Sequence, residues 1–313
     1  MPVSYKKSMT PQERFTAIAT LLARTDLKRF DINPEQLISY ATPAERLLEK
    51  DNLLILPYME QMLTSRCTLR CRHCANLMQY YRPDQQRTWT FEECTRNLER
   101  LLDCVDYIVW FRLLGGEPLL IPWLPDFVRF ALSQSKIGRV EVVTNGTIIP
   151  SVELQSAMRN PRAAFDLSNY GPVSRKIPEI INMAQAQHIR YSINPSYTWE
   201  DMGDTTRRDY SEERVRQIYA TCDNICKNLV GTEVHVCPRS SNGMLLGLIP
   251  RCPHDYVDIW ENEPDTVKYK LRKLFNRSSI QACYYCNAPE CRASIPAGEQ
   301  MASSRQSTEI SFL

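Results

Sequence analysis

Residues 139–169 read RVEVVTNGTIIPSVELQSAMRNPRAAFDLSN, and this stretch contains one complete strand–helix–strand unit. Short apolar runs at 139–143 and 164–167 predict two strands, and 152–159 predicts the helix between them. A polar, glycine-containing segment, TNG at 144–146, follows the first strand. Strands joined through a helix in this way lie parallel, because antiparallel neighbours need only a short turn.

The same alternation of strand and helix extends outward from this unit. A repeat of about 25–30 residues is typical of parallel βα units, whose polar strand ends meet at one face. We therefore predict an α/β fold built as a barrel or part-barrel, with a flat doubly wound sheet as the alternative. The other predicted strands are 59–65, 106–114 and 189–193, and the other helices are 91–102, 124–133 and 176–186.

The composition of the 313 residues excludes several classes of protein. Apolar residues make up 43% and charged residues 24%, so a buried core can form and bulk disorder is excluded. The formal net charge of +2 gives no reason to expect nucleic acid or an anionic membrane as a partner. No apolar run reaches the roughly 18 residues of a membrane span. The polar start lacks the apolar stretch of a secretory signal, so we expect a cytoplasmic protein.

Two helix-start signals precede the first predicted strand. Residues 10–13 (TPQE) and 42–45 (TPAE) each match a capping box with proline at the first helical position. We predict that 1–53 is a helical cap packed on the barrel. A helix pair that binds a partner is the alternative.

Twelve cysteines are the most unusual feature of the composition. Disulfide scaffolds are usually short and secreted, so clustered cysteines in this chain indicate metal or redox chemistry instead. Three lie in the loop 67–74, and seven lie beyond residue 221. The highly charged stretch 199–216 is typical of a connector, so we predict a barrel over 54–200 and a cysteine-rich module over 201–313.

The loop 67–74 reads CTLRCRHC, which has the spacing C-x3-C-x2-C. Three thiolates on one short loop suit one face of an iron–sulfur cube and leave its fourth iron without a protein ligand. An open metal position is what a catalytic site requires. A structural zinc site, the alternative, needs a fourth ligand, and His73 is the local candidate.

This loop resembles the signature of the radical S-adenosylmethionine (radical SAM) superfamily. GGEP at 115–118 is similar to the family's GGE motif, and TNG at 144–146 is similar to its usual third-strand ending. The resemblance covers about residues 54–197 and implies a partial (β/α)6 TIM-like barrel. It also implies that a 4Fe-4S cluster is held by three cysteines, with S-adenosylmethionine chelating the open iron. These cluster ligands are Cys67, Cys71 and Cys74.

The resemblance implies roles for the other motif residues. The glycine pair allows close backbone approach to the methionine amino group, and the Glu117 carboxylate pairs with that ammonium. Asn145, or Ser168 on the next strand, bonds the ribose hydroxyls. His73 stands at the family's customary aromatic position. The predicted cofactor-binding residues are His73, Gly115, Gly116, Glu117, Pro118, Thr144, Asn145 and Ser168.

The cysteine-rich module resembles the SPASM and twitch extensions of radical SAM enzymes, which bind an auxiliary cluster. GTEVHVC at 231–237 alternates as a strand does, and SSNG at 240–243 predicts a hairpin turn after it. We predict one auxiliary 4Fe-4S cluster with Cys222 or Cys226 as the first ligand. Two auxiliary clusters and a zinc site are the alternatives. The remaining predicted ligands are Cys237, Cys283 and Cys286.

Cys252 stands alone in the segment PRCPH at 250–254. A thiol can quench a substrate radical because its S–H bond is weaker than an alkyl C–H bond. We therefore name Cys252 as a candidate hydrogen-atom donor, which would make the enzyme an epimerase. An auxiliary ligand and a buried thiol are the alternatives.

The substrate is predicted from weaker motifs. DLSNYG at 166–171 and CPRS at 237–240 resemble radical SAM proteins of bacterial surface-polysaccharide clusters. They indicate a small polar substrate, a sugar or sugar conjugate, that is dehydrogenated or epimerised by a 5′-deoxyadenosyl radical. A flavodoxin-type or ferredoxin-type donor would supply electrons. Peptide modification is the alternative reaction, and a non-catalytic iron–sulfur or zinc sensor or scaffold is the alternative of another class. RNA is not expected, because no basic patch accompanies the barrel.

Overall fold

The computed structural model describes residues 54–195, 197–222 and 226–301. The predicted helical cap at 1–53 lies outside these residues. Within the described ranges, no helix combines the length and the apolar character needed to cross a membrane.

Five parallel strands form the main part of an eight-stranded sheet. They are β1 (Ile55–Thr64), β2 (Tyr107–Gly115), β3 (Ile137–Thr144), β4 (Ala163–Asn169) and β5 (Tyr191–Pro195). Their order in space is β5-β4-β3-β2-β1, so each strand pairs with its neighbour in sequence. A doubly wound sheet reverses its order part-way across, whereas a barrel keeps it. The predicted α/β fold with a partial parallel barrel is confirmed.

A helix follows each of the first four strands and covers the sheet. These helices are α1 (Phe91–Cys104), α2 (Leu124–Ser133), α3 (Val152–Met158) and α4 (Ile177–Ala186). The predicted capping box begins α1, since the Thr90 hydroxyl accepts from the Glu93 N–H and the Glu93 carboxylate accepts from the Thr90 N–H. Fully buried Phe111, Phe127 and Phe165 belong to the core between sheet and helices.

The carboxyl-terminal part of the chain extends the same sheet beyond β1. Its strand β7 runs parallel to β1, and β8 and β9 continue the sheet antiparallel. A separate two-stranded sheet pairs β6 with β10. The elements are β6 (Thr198–Glu200), α5 (Glu212–Thr221), β7 (Asn228–Val230), β8 (Glu233–His235), α6 (Pro238–Leu245), β9 (Tyr256–Asp258), α7 (Pro264–Phe275) and β10 (Ser294–Pro296).

The predicted hairpin turn at 240–243 is wrong, because these residues lie inside α6. Pro238 at the first turn favours a helix start. The side chains of Ser241 and Asn242 donate back to the Pro238 carbonyl at 3.1 Å each, so they bond within the helix. The hairpin lies earlier, between β7 and β8, where Gly231 takes a φ of +59°.

Candidate active site

The loop that carries the first three cysteines begins directly after β1, at the carboxyl edge of the parallel sheet. The thiols of Cys67, Cys71 and Cys74 line one pocket of about 500 Å³. Gly115 and Gly116, which end the neighbouring strand β2, line the same pocket. The structure therefore brings the C-x3-C-x2-C loop and the glycine pair together.

The glycine pair allows the end of β2 to pack directly on the start of this loop. A Cβ on Gly116 would lie 2.1 Å from the Arg66 carbonyl oxygen and 2.8 Å from the Cys67 Cβ. The hydrogen bonding between β1 and β2 continues past this contact, since the Gly116 N–H donates to the Thr64 carbonyl at 2.8 Å. A side chain at position 116 would push the cysteine loop away from the sheet.

Hydrogen-bond donors point at the sulfur atoms of the loop. The Leu69 N–H lies 3.4 Å from the Cys67 Sγ, and the Asn145 Nδ2 lies 3.6 Å from it. The Gln300 Nε2 lies 3.2 Å from the Cys71 Sγ. Donors to sulfur favour thiolates over neutral thiols, so this surrounding suits metal ligation.

Burial opposes that ionisation when no metal is bound. It raises the pKa of Cys67 to about 12 and that of Cys71 to about 11, and it also raises the pKa of Cys74. The three side chains are therefore neutral near neutral pH until a cation displaces their protons. The donor set, the room in the pocket and the glycine approach fit a 4Fe-4S cluster with an open iron.

Glu117, whose carboxylate is predicted to meet a ligand ammonium, is not among the residues that line the pocket. Its side chain is fully buried and accepts from the Leu119 N–H, the Thr144 hydroxyl and the Asn145 N–H at 2.9–3.0 Å. Burial raises its pKa to about 7. The Glu117 carboxylate thus anchors the end of β3 by hydrogen bonds, whereas the glycine pair lines the pocket.

The other predicted cofactor residues divide into two groups. His73, Asn145 and Ser168 line the pocket. The His73 Nδ1 lies 3.5 Å from the Asp201 carboxylate, and the Asn145 amide bonds to the cysteine loop. Pro118 and Thr144 are buried and do not line the pocket, and their contact with the cofactor stays a prediction.

A buried polar layer contributes Glu60, Arg112 and Asp166 to the wall of the pocket. Glu60, Arg112 and Glu141 are cross-strand partners, so their side chains lie on one face of the sheet. The guanidinium of Arg112 bonds Glu60 at 3.4 Å and Glu141 at 3.0 Å, and it also bonds Tyr58 and Asp166. Sequence analysis missed this layer. The available signal was a charged residue inside each of four apolar strands.

A second set of thiols lies in the cysteine-rich module. The pKa of Cys237 is raised to about 11, chiefly by burial and also by the neighbouring thiols of Cys222 and Cys286. Burial also raises the pKa of Cys283, with all three of those thiols as electrostatic neighbours. The Arg292 Nη2 lies 3.7 Å from the Cys286 Sγ and 4.0 Å from the Cys222 Sγ. These four cysteines and one guanidinium form a group.

Cys226 and Cys252 take different places. Cys226 lines the barrel pocket, with its Sγ 3.9 Å from the Tyr58 Oη. Cys252 does not line that pocket, and its thiol bonds the carboxylate of Asp255 instead. The structure thus does not bring Cys252 into this pocket, and its role as a hydrogen-atom donor stays a prediction. In the described part of the chain, no three His, Cys, Asp or Glu side chains converge on a single-ion site.

Comparisons with known proteins agree with the loop chemistry. Residues 62–175 match the profile of the Radical SAM superfamily. A GTP 3′,8-cyclase of Syntrophomonas wolfei is 33% identical over 123 residues, which are 37% of this chain and 35% of that protein. One of Chlorobaculum tepidum is 35% identical over 92 residues, 29% of this chain and 26% of that protein. The chain thus spans about a third of these relatives or less.

Solved structures give more distant likenesses. BtrN in complex with AdoMet and 2-DOIA has a TM-score of 0.45 and 17% identity, over 74% of this chain and 93% of that chain. Streptococcus suis SuiB bound to its precursor peptide SuiA has a TM-score of 0.40 and 11% identity, over 81% of this chain and 77% of that chain.

Proposed function

Because residues 62–175 of this chain are a radical SAM domain, we propose that the protein is an enzyme that abstracts hydrogen from a polar substrate with a 5′-deoxyadenosyl radical. The observation that carries this proposal is the meeting of three loop thiols, the glycine pair and the buried polar layer in one pocket. When bound, the 4Fe-4S cluster supplies the electron that cleaves S-adenosylmethionine. Cys67, Cys71 and Cys74 hold that cluster.

The residues around the pocket have separate roles in this proposal. Gly115 and Gly116 line the pocket beside the cysteine loop, and we assign their backbone to the methionine end of the cofactor. Ser168 and Asn194, which are paired in register on β4 and β5, stand at the same strand ends and are placed to bond the ribose. Glu117 keeps the end of β3 in position by accepting from the Thr144 hydroxyl and the Asn145 N–H.

The substrate class is inferred from the polar wall of the pocket. Glu60, Arg112 and Asp166 line the pocket. They bond one another, but a carboxylate oxygen has more than one acceptor position, so this wall can still accept hydrogen bonds from a polar ligand. A sugar or sugar conjugate with several hydroxyls or an amine matches such a wall, and the reaction is its dehydrogenation or epimerisation. A peptide is the alternative substrate, since Trp199 and Tyr170 also line the pocket and pack edge to face.

We also propose one auxiliary 4Fe-4S cluster in the cysteine-rich module. Cys222 rather than Cys226 is the first ligand, since Cys222 belongs with the other three thiols and Arg292. All twelve cysteines fall within the described residues and form no disulfide, which fits the reducing cytoplasm. A flavodoxin or ferredoxin is proposed as the electron donor.

The test is formation of 5′-deoxyadenosine. The protein is reconstituted anaerobically with iron and sulfide, then given S-adenosylmethionine and dithionite. We expect 5′-deoxyadenosine from the wild type and from Cys94→Ala, which removes a buried thiol of α1, and none from Cys71→Ala. The enzyme proposal is contradicted if the reconstituted wild type makes no 5′-deoxyadenosine and its cluster spectrum does not change when S-adenosylmethionine is added. That result would favour a sensor or scaffold.

The substrate class is tested separately. Deuterated sugars, aminosugars and peptides are offered in turn, and deuterium transfer into 5′-deoxyadenosine is measured. Transfer from a sugar-type compound supports the proposal, and transfer from peptides alone establishes the alternative.

A further inference from the structure

The carboxyl-terminal segment 298–301 lies along the cysteine loop. The Arg72 N–H donates to the Glu299 carbonyl and the Met301 N–H donates to the Arg70 carbonyl, each at 2.8 Å. These bonds form a short antiparallel bridge in which Cys71 stands opposite Gln300. A residue far along the chain is thereby placed beside one thiol of the loop.

The side-chain amide of Gln300 has a defined orientation. Its Oε1 accepts from the Arg70 N–H at 2.8 Å, and its Nε2 donates to the Gly298 carbonyl at 2.6 Å. A backbone N–H can only donate and a carbonyl can only accept, so the amide cannot be turned over without losing both bonds. The second hydrogen of the same Nε2 is therefore left to face the Cys71 Sγ at 3.2 Å.

The three loop thiols differ in where their donors come from. Cys67 receives the Leu69 N–H and, at 3.6 Å, the Asn145 amide, and Cys74 receives backbone N–H groups from residues 76–78, so each has at least one donor from the chain directly after it. Cys71 receives a donor 229 positions away in the sequence. Full support of the loop thus depends on docking of the carboxyl-terminal segment.

We propose that Gln300 is a positioning residue that raises the reduction potential of the cluster bound through Cys71. Hydrogen bonds to ligand sulfur stabilise the more negative, reduced state of an iron–sulfur cluster, and outer partners also orient the ligand. The inference rests on the proposed function, because it requires that the loop hold a cluster. It goes further by making 298–301 part of the redox site.

The experiment is a redox titration of the reconstituted protein, followed by electron paramagnetic resonance. The signal of the loop cluster is identified by its change when S-adenosylmethionine is added. Gln300→Met keeps the side-chain length but removes the donor, and we expect a lower potential. Gln300→Glu keeps the acceptor for the Arg70 N–H and adds a negative charge, so we expect a potential lower still.

Glu299→Gln is the matched control in the same segment. It removes the ion pair of Glu299 with Arg72, whose side chains are 41% and 52% exposed, and leaves the Gln300 amide unchanged. Exposed pairs contribute little, so we expect the wild-type potential. If Gln300→Met does not fold, Gln300→Leu, which also lacks the donor and adds no charge, decides instead.

The outcomes separate this inference from the proposed function. Wild-type potentials in both Gln300 variants overturn the role of Gln300 and leave the radical SAM proposal standing. A wild type that binds no cluster at the loop overturns both. Potentials lowered equally in Glu299→Gln also overturn the inference, because the effect then comes from docking of the segment rather than from the N–H···S bond.

Discussion

The two groups of thiols differ in the donors that lie closest to their sulfur atoms, although the buried Arg239 is also an electrostatic neighbour of Cys74. The loop thiols of the barrel receive neutral N–H donors, from the backbone and from the amides of Asn145 and Gln300. The thiols of the cysteine-rich module receive the guanidinium of Arg292, whose side chain is only 1% exposed. Four thiolates would bring one more negative charge than three, and the Arg292 cation, which also pairs with Glu200 at 3.5 Å, would offset part of it.

This difference indicates different tasks. In the proposed clusters, three ligands beside an open pocket would leave an iron available for chemistry, whereas four cysteine ligands would complete the coordination of the auxiliary cluster. We therefore infer that the loop site acts on the cofactor and that the module site transfers electrons or stabilises the module.

Removing one thiol from each group is the strongest test of the proposed difference between the two sites. With about eight irons per chain for two clusters, Cys71→Ala and Cys283→Ala should each lose about half of the iron. We expect Cys71→Ala to make no 5′-deoxyadenosine and Cys283→Ala to retain its formation in the absence of substrate. Iron content and mass spectrometry of the product check this, with Cys94→Ala as the control for loss of a thiol.

The second prediction separates two cysteines that are close in sequence. Cys222 belongs to the module group, and Cys226 lines the barrel pocket beside Tyr58. We expect Cys222→Ala to lose the auxiliary iron and Cys226→Ala to keep it. Iron counting with each variant as the other's control is sufficient. Loss of the auxiliary iron in Cys226→Ala instead would make Cys226 the ligand.

Much of the barrel was predictable because its strands are short apolar runs followed by polar residues. The predicted helix 124–133 agrees with the observed Leu124–Ser133, and the predicted strand 106–114 is observed at Tyr107–Gly115. Local signals determine these elements. The turn at 240–243 was mispredicted because buried contacts, including the Tyr81 hydroxyl donating to Asn242 at 2.7 Å, override the local turn signal there.

Site residues were predictable from the sequence only where their spacing forms a recognisable motif. The C-x3-C-x2-C loop is local in sequence, so its position beside the glycine pair was anticipated. The role of Glu117 and the contact of Gln300 with Cys71 depend on chain segments that meet only in the folded protein. No periodicity or spacing reports such contacts.

The third prediction concerns the support beneath the loop site. Glu117→Gln replaces a carboxylate that accepts three hydrogen bonds with an amide that has one acceptor oxygen. A buried N–H is left unsatisfied, so we expect a loss of about 1–3 kcal/mol in the free energy of unfolding. Urea unfolding of the metal-free protein measures this, and an unchanged midpoint would contradict the structural role.

The same variant has a defined pH dependence. Burial raises the pKa of Glu117 from 4.5 to about 7, so the folded state holds this proton more tightly than the unfolded state does. The resulting stabilisation is present below the unfolded pKa and is lost as the pH rises through about 7. Because glutamine does not titrate, the deficit of Glu117→Gln should shrink on going from pH 5 to 8, by up to about 3 kcal/mol. A constant deficit would show that Glu117 titrates normally.

The smallest effects are expected from substitutions of Arg292, which test whether its positive charge matters at the module site. Arg292→Lys keeps the positive charge but loses the planar group that also donates from Nε to the Asn287 carbonyl at 3.1 Å, so we expect a loss of about 1 kcal/mol. The potential of the auxiliary cluster should stay near the wild-type value in Arg292→Lys and fall in Arg292→Met, because only the second substitution removes the cation. Equal potentials in the two variants would mean that the positive charge of Arg292 does not set the potential of the auxiliary cluster. The difference in donors between the two thiol groups would then not explain their redox behaviour.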